Sequence, residues 1–143
     1  MPASQIASRL AEIDLFAGLP QATREDLAGR TTTLTYAPGD VITEQGGEGA
    51  SFCLLVAGSA DVEVNGVHRR TLGPGDSFGE IALIDRQPRS ATVRAGTGGA
   101  SVATISALTF APVLDDPAAC RSLLGVLCAR LRAAESGAET GAP

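Results

Sequence analysis

At 143 residues and 14.5 kDa the chain has the length of one ordinary domain, and with 44% hydrophobic and 19% charged residues it can bury a core and fold alone. Eleven basic against sixteen acidic residues leave a net charge of −5, the wrong sign for a surface that attracts nucleic acid, so a bound anion needs a local cationic site. A single histidine excludes a His-rich metal centre, three cysteines are expected as reduced core residues, and no stretch approaches the roughly 18 apolar residues of a membrane span, so a soluble cytoplasmic protein is expected.

Ile6, Leu10, Ile13 and Phe16 are spaced by three and four, which predicts one amphipathic helix over 4–17 with Ser4 as its N-cap. A second helix is predicted from Gln21 to Leu27, stopped by Gly29. From Thr31 the chain turns to short runs rich in Thr, Val, Ile and Leu, broken by Gly, Pro and Asp. The predicted strands are Thr32–Tyr36, Val41–Glu44, Phe52–Ala57, Ala60–Val64, Val67–Leu72, Ser90–Ala95 and Ala100–Ile105. Asn65-Gly66 marks a hairpin, because a type I′ turn needs positive φ at both central residues. Pro38-Gly39-Asp40 and Pro74-Gly75-Asp76 recur at corresponding places and suggest a double-wound roll of strands. Helix returns at Ser106, a cap for Ala107 to Leu114, and Pro117 can open another. In that last helix Cys120, Leu123, Leu124, Leu127 and Leu131 form an apolar stripe, with Arg121, Arg130 and Arg132 outside it. The organisation read from sequence is one domain over 1–134, with helices in 4–29, a roll over 31–105, helices in 106–134, and a disordered tail over 135–143.

One strand connection has an unusual make-up: Phe78-Gly-Glu-Ile-Ala-Leu-Ile84, then Asp85-Arg-Gln-Pro-Arg-Ser-Ala-Thr-Val93. Gly79 permits close backbone approach, and one helical turn after Glu80 would present the unbonded N–H groups of its first residues to an anion. Arg89, on the extended chain that Pro88 imposes, could return over the turn and grip a phosphate through two parallel bonds. A carboxylate only accepts hydrogen bonds, so Glu80 suits a sugar hydroxyl rather than the phosphate. Together these residues read as a site for sugar plus phosphate.

The segment resembles the phosphate-binding cassette of the cyclic nucleotide-binding domain family, with its F-G-E-x-A-L and P-R-S-A-T-V blocks. Tyr36-Ala-Pro-Gly-Asp-Val-Ile42 and Gln45-Gly46 resemble the family's earlier strands, and the likeness runs from about Leu15 to Leu131. The resemblance implies a mainly β fold with flanking helices: an eight-stranded double-wound, jelly-roll-like β-roll with helices at both ends. It implies that Glu80 accepts from the ribose 2′-hydroxyl, that Arg89 pairs with the cyclic phosphate, that Ile81 or Ala82 amides complete the cradle, and that Gly79 makes room. Ser90 stands where some cyclic GMP-selective members have threonine, and bacterial cyclic AMP receptors are similar to this chain in having serine. Cyclic AMP is therefore the expected ligand, with cyclic GMP second and no metal. No aromatic of the last helix is available to cap the base, which leaves Leu127 or Leu131.

The expected function is a non-catalytic regulatory module that passes ligand binding to its C-terminal helices, and thence to an effector domain or protein. A homodimer through the last helix is a second use of the stripe. The alternative is a truncated or ligand-insensitive sensor domain of a transcription regulator of the cyclic AMP receptor type. Fewer than ten residues follow Ala134, so no nucleic-acid binding is expected from this chain alone. A cupin-type enzyme shares the roll but needs several histidine ligands. His68 is read as an exposed strand residue.

Overall fold

The computed structural model describes residues 1–48 and 51–139. In chain order the elements are α1 (Ala3–Leu10), α2 (Asp14–Ala17), α3 (Gln21–Gly29), β1 (Thr32–Tyr36), β2 (Val41–Thr43), β3 (Ser51–Val64), β4 (Val67–Leu72), β5 (Ser77–Phe78), α4 (Ala82–Asp85), β6 (Thr92–Ser106), α5 (Ala107–Leu114) and α6 (Pro117–Glu139). The six strands form one antiparallel sheet in the order β1-β6-β3-β4, with β2 also on β6 and β5 also on β3. The fold is thus mainly β with flanking helices.

The expected eight strands are corrected to six. Gly58-Ser59 and Gly96 to Gly99 read as turns in the sequence, yet both lie inside continuous strands. The β3·β6 register runs through Gly58↔Ala100 and resumes at Ala60↔Ala95, so these segments are bulges that bend the paired strands. Four of the expected runs therefore merge into two long strands, β3 and β6. The two-residue β5 was too short to leave a periodic signal.

Both long strands are buried on two faces. Phe52 and Leu54 of β3 and Ala103 and Ile105 of β6 join Leu10, Leu15, Phe16, Leu27, Leu83, Phe110 and Leu123 in a core between sheet and helices. The adjacent Leu55 and Val102 point the other way, into a second cluster with Ala60, Val62, Leu72, Val93 and Ala95. Phe16 sits between the layers, its ring edge-on to Phe52 at 5.0 Å and to Phe110 at 5.9 Å between centroids. One side chain from the N-terminal helices thereby bridges the sheet and the first C-terminal helix.

The two Pro-Gly-Asp turns are equivalent in detail. Asp40 Oδ2 accepts from Ala37 N and Asp76 Oδ2 from Gly73 N, both at 2.9 Å, with Gly39 and Gly75 at positive φ. The first turn exchanges backbone bonds with Ala95 of β6, the second with Leu55 of β3. Asn65 and Gly66 both have positive φ and join β3 to β4, as expected.

The helices depart from the sequence reading at several points. The expected helix over 4–17 breaks at Ile13, whose extended backbone lets α2 turn Leu15 and Phe16 into the core. Ser4 lies inside α1, and Pro2 occupies the cap position without a side-chain bond. Ser106 does cap α5, accepting from Thr109 N at 3.1 Å, and Pro117 does open α6. α6 continues to Glu139, so residues 135–139 are helical rather than tail, in line with the helix-forming Ala133, Ala134 and Glu135 that lead into them. Residues 140–143 of the expected tail lie outside the described residues. Along α6, Leu123 is buried and Leu127 partly so, whereas Leu124 and Leu131 are exposed, because the helix rests on the core along one narrow line. The cysteines are free, but only Cys53 is a core residue; Cys120 is half-buried and Cys128 exposed. None of the described helices is long and apolar enough to cross a membrane.

The bend in β3 has a measurable requirement. A Cβ on Gly58, at φ +81°, would collide with the Gly99 carbonyl and lie 3.1 Å from Ala100 Cα, whereas a Cβ on Gly66, at φ +77°, would meet nothing. Gly58→Ala should therefore cost about 2 to 4 kcal/mol in a urea titration, from backbone strain plus collision, and Gly66→Ala about 1 kcal/mol from strain alone.

Candidate functional site

The connection between β5 and β6 folds as the composition predicts. Gly79 takes φ +86°, α4 forms a single turn, and Arg86 closes it in the left-handed conformation. Gly79 has a steric reason: a Cβ there would collide with the Arg89 guanidinium and come within 2.7 Å of the Ser51 carbonyl. Only glycine lets the arginine side chain lie against this backbone.

Arg89 is held from both ends. Its backbone N–H donates to Gly47 O at 3.0 Å and its carbonyl accepts from Gly46 N at 2.8 Å, which ties the strand end to the Gln45-Gly46-Gly47 loop. Gln45 extends the brace: its amide donates to Thr92 Oγ1 at 2.9 Å, and its side chain both accepts from Asn65 N and donates to Asn65 Oδ1. The Arg89 side chain then runs inward. At 8% exposure it is the one buried charged residue among those described, with Nη2 donating to the Ser51 carbonyl and to Ser51 Oγ. It makes no ion pair among the described residues, and its buried Nε has no hydrogen-bond partner. A buried guanidinium without a carboxylate, with one donor unmatched, is left with charge and hydrogen-bonding capacity that the described side chains do not meet. The neighbouring Cys53 thiol is pushed up to about 11, chiefly by burial, with the Arg89 charge opposing.

The six cassette residues expected from sequence meet in one place. Gly79, Glu80, Ile81, Ala82, Arg89 and Ser90 line a cavity of about 350 Å³. Gly79, Glu80, Arg89 and Ser90 also face a cavity of about 480 Å³ on the other side, walled by Val62, Val64 and Val93 and bordered by Arg69 and Arg70. In the α4 turn the hydrogen-bonded amides begin with Leu83, which donates to Glu80 O at 3.3 Å, so those of Ile81 and Ala82 come before them at the open end. A larger groove of about 620 Å³ between α1 and α3 contains none of these residues.

Glu80 has a partner that the sequence reading gives only as an arginine outside the apolar stripe of the last helix. Arg130 of α6 reaches Glu80 Oε1 at 3.4 Å with Nη1, while its Nε donates to Asp14 Oδ2 at 2.9 Å and its Nη2 pairs with Asp14 Oδ1. The Arg130 hydrogen bonds hold the Asp14 carboxyl below the usual carboxylate range, and the Asp14 bond in turn raises Arg130. Asp14, Ser51, Arg69, Arg70 and Arg130 were not singled out. They come from four separated places in the chain, and no spacing rule joins them. Leu127 is partly buried in the helical core and Leu131 is exposed; neither lines the two cavities. Among the described residues no group of three or more His, Cys, Asp or Glu side chains could hold a metal ion.

Comparison with known proteins agrees with this geometry. The chain is 40% identical over 91 residues to a cAMP-dependent protein kinase regulatory subunit of Blastocladiella emersonii, a match over 60% of this chain and only 23% of that relative. Among solved structures, the regulatory domain of Toxoplasma gondii PKA with cAMP superposes at a TM-score of 0.68 and 28% identity, over 90% of this chain and 50% of that one. The N-terminal domain of a transcriptional regulator from Streptomyces coelicolor A3(2) shares the fold at a TM-score of 0.77 and 24% identity, over 90% and 95% of the two chains. The family model for the cyclic nucleotide-binding domain matches residues 33–116, more than half of the chain and all of the cassette, and the chain belongs to that family.

Proposed function

We propose that this chain is a cyclic AMP receptor module without a chemical step of its own, which reports ligand binding through α5 and α6. The observation that carries the reading is Arg89, buried beside Gly79 with an unmatched Nε and no acidic partner among the described residues. In this reading Arg89 binds the cyclic phosphate, the Ile81 and Ala82 amides add donors, and Glu80 accepts from the ribose 2′-hydroxyl. Ser90 lines both cavities and lacks the methyl group of threonine, in keeping with adenine over guanine. The Blastocladiella relative and the cAMP complex of the Toxoplasma domain support the choice of ligand.

Glu80 and Arg130 supply a physical route from ligand to helix, because a group that contacts the nucleotide also holds α6. A ligand shifts such an arrangement only by binding its two states unequally. The exposed Leu124 and Leu131 give α6 an apolar edge with which to act on an effector domain or a second copy of the chain. The second reading, a sensor domain of a transcription regulator, draws on the shared fold of the Streptomyces domain. In that reading the same cassette serves a different output, or has lost its ligand.

Isothermal titration calorimetry tests the site. Cyclic AMP should bind in the micromolar range and more tightly than cyclic GMP. Arg89→Ala should cost roughly 3 to 5 kcal/mol, on the order of a hundredfold or more, and Glu80→Ala about 1.5 to 3 kcal/mol. No heat with either nucleotide at millimolar concentration, or an unchanged affinity in a folded Arg89→Ala variant, would overturn the reading. Amide exchange tests the output: protection across 107–134 should change on adding cyclic AMP, beyond the change at 78–93. A response confined to the cassette would make the chain a passive binder.

A further inference from the structure

Arg130 divides one guanidinium between two carboxylates, and the division is unequal. Asp14 engages two of its nitrogens, Nε and Nη2, through both carboxylate oxygens; Glu80 receives only Nη1, on Oε1 at 3.4 Å. Paired contacts of the first kind are the strong, directional form of an arginine–carboxylate bond. Asp14 is also well anchored. It opens α2, whose Leu15 and Phe16 are buried, and the Phe16 and Ala17 carbonyls accept from Arg24 Nη1 at 3.3 and 3.1 Å.

We propose that Asp14 is a positioning residue for the ribose-binding carboxylate: by occupying two nitrogens of Arg130, it stops that cation from closing on both oxygens of Glu80. The inference rests on Glu80 being the ribose acceptor. Without Asp14 the guanidinium is free to turn and take Glu80 through two parallel bonds. A ribose hydroxyl would then have to displace a charge-assisted bond in a half-buried setting, in exchange for a weaker one to a neutral donor. With Asp14 in place, Arg130 takes one oxygen and steadies the carboxylate, and the other oxygen accepts from the ligand. Asp14 is ionised throughout the neutral range as any aspartate is, and because its carboxyl is held below its ordinary range this hold on Arg130 extends further into acid. A residue of the N-terminal helices thereby sets how strongly the cassette recognises the sugar.

The test compares the parent chain, Asp14→Ala and Asp14→Ala/Arg130→Gln, each titrated with cyclic AMP and with 2′-deoxy cyclic AMP, which lacks the hydroxyl. Asp14→Ala should lose on the order of tenfold in affinity for cyclic AMP and keep its affinity for the deoxy nucleotide. Adding Arg130→Gln should restore cyclic AMP binding, because no cation remains to compete for Glu80. An unchanged cyclic AMP affinity in Asp14→Ala, an equal loss for both nucleotides, or no recovery in the double variant would overturn the proposal. The underlying reading fails visibly and separately: a parent chain that binds both nucleotides equally, or neither, shows that Glu80 is not the ribose acceptor.

Discussion

A guanidinium buried without a counter-charge is expensive, and much of this structure is arranged to hold one. Arg89 is held in place because the Ser51 carbonyl and hydroxyl accept from it and because Gly79 lets the backbone come close to it. Ser51 begins the longest inner pairing of the sheet, β3 on β6, and Gly79 follows directly on β5, which pairs with β3. The cation is thus mounted beside the longest strand pairing of the sheet. A phosphate arriving there would find its partner already desolvated and oriented, so less binding energy is spent on ordering side chains.

The cassette is linked to the helices by packing as well as by charge. Leu83 of α4 is buried in the same core as Phe16, Phe52, Phe110 and Leu123, and α4 packs against α5 and β3, so the turn carrying the cassette amides cannot shift without disturbing those contacts. Interiors packed at this density respond to displacement by moving neighbouring elements rather than by compressing. The two edge-on aromatic contacts of Phe16 extend this linkage to the N-terminal helices. The Asp14–Arg130–Glu80 chain of ion pairs runs parallel to it across the surface. A greasy route and a charged route therefore connect the same three regions.

The same site shows how a chain of net charge −5 gathers positive charge locally. Arg69, Arg70 and Arg89 converge on the cavity walled by Val62, Val64 and Val93, while Glu80 is the one carboxylate on its lining among the described residues. Positive charge is concentrated where the sheet opens, and a low-dielectric wall strengthens its local field. Global charge excluded general nucleic-acid attraction and left room for this local exception.

The sequence by itself determined the local elements whose cause is local. Asn65-Gly66 makes its hairpin because positive φ is required at two adjacent residues, the repeated Pro-Gly-Asp turns fold alike, Ser106 caps α5, and Gly79, Glu80 and Arg89 carry their chemistry at a recognisable spacing. The tertiary structure decided everything that depends on partners distant in the chain. Gly58 and Gly96 to Gly99 look like turns until the opposite strand shows them to be bulges, and the helix over 4–17 breaks because Leu15 and Phe16 gain more from the core than from unbroken helical bonding. Arg130 lies among arginines that a helical wheel assigns to solvent. Only the approach of α2 and the cassette to α6 makes it a partner of Asp14 and Glu80, since a long side chain's allegiance is set by which opposite charge the fold brings within reach.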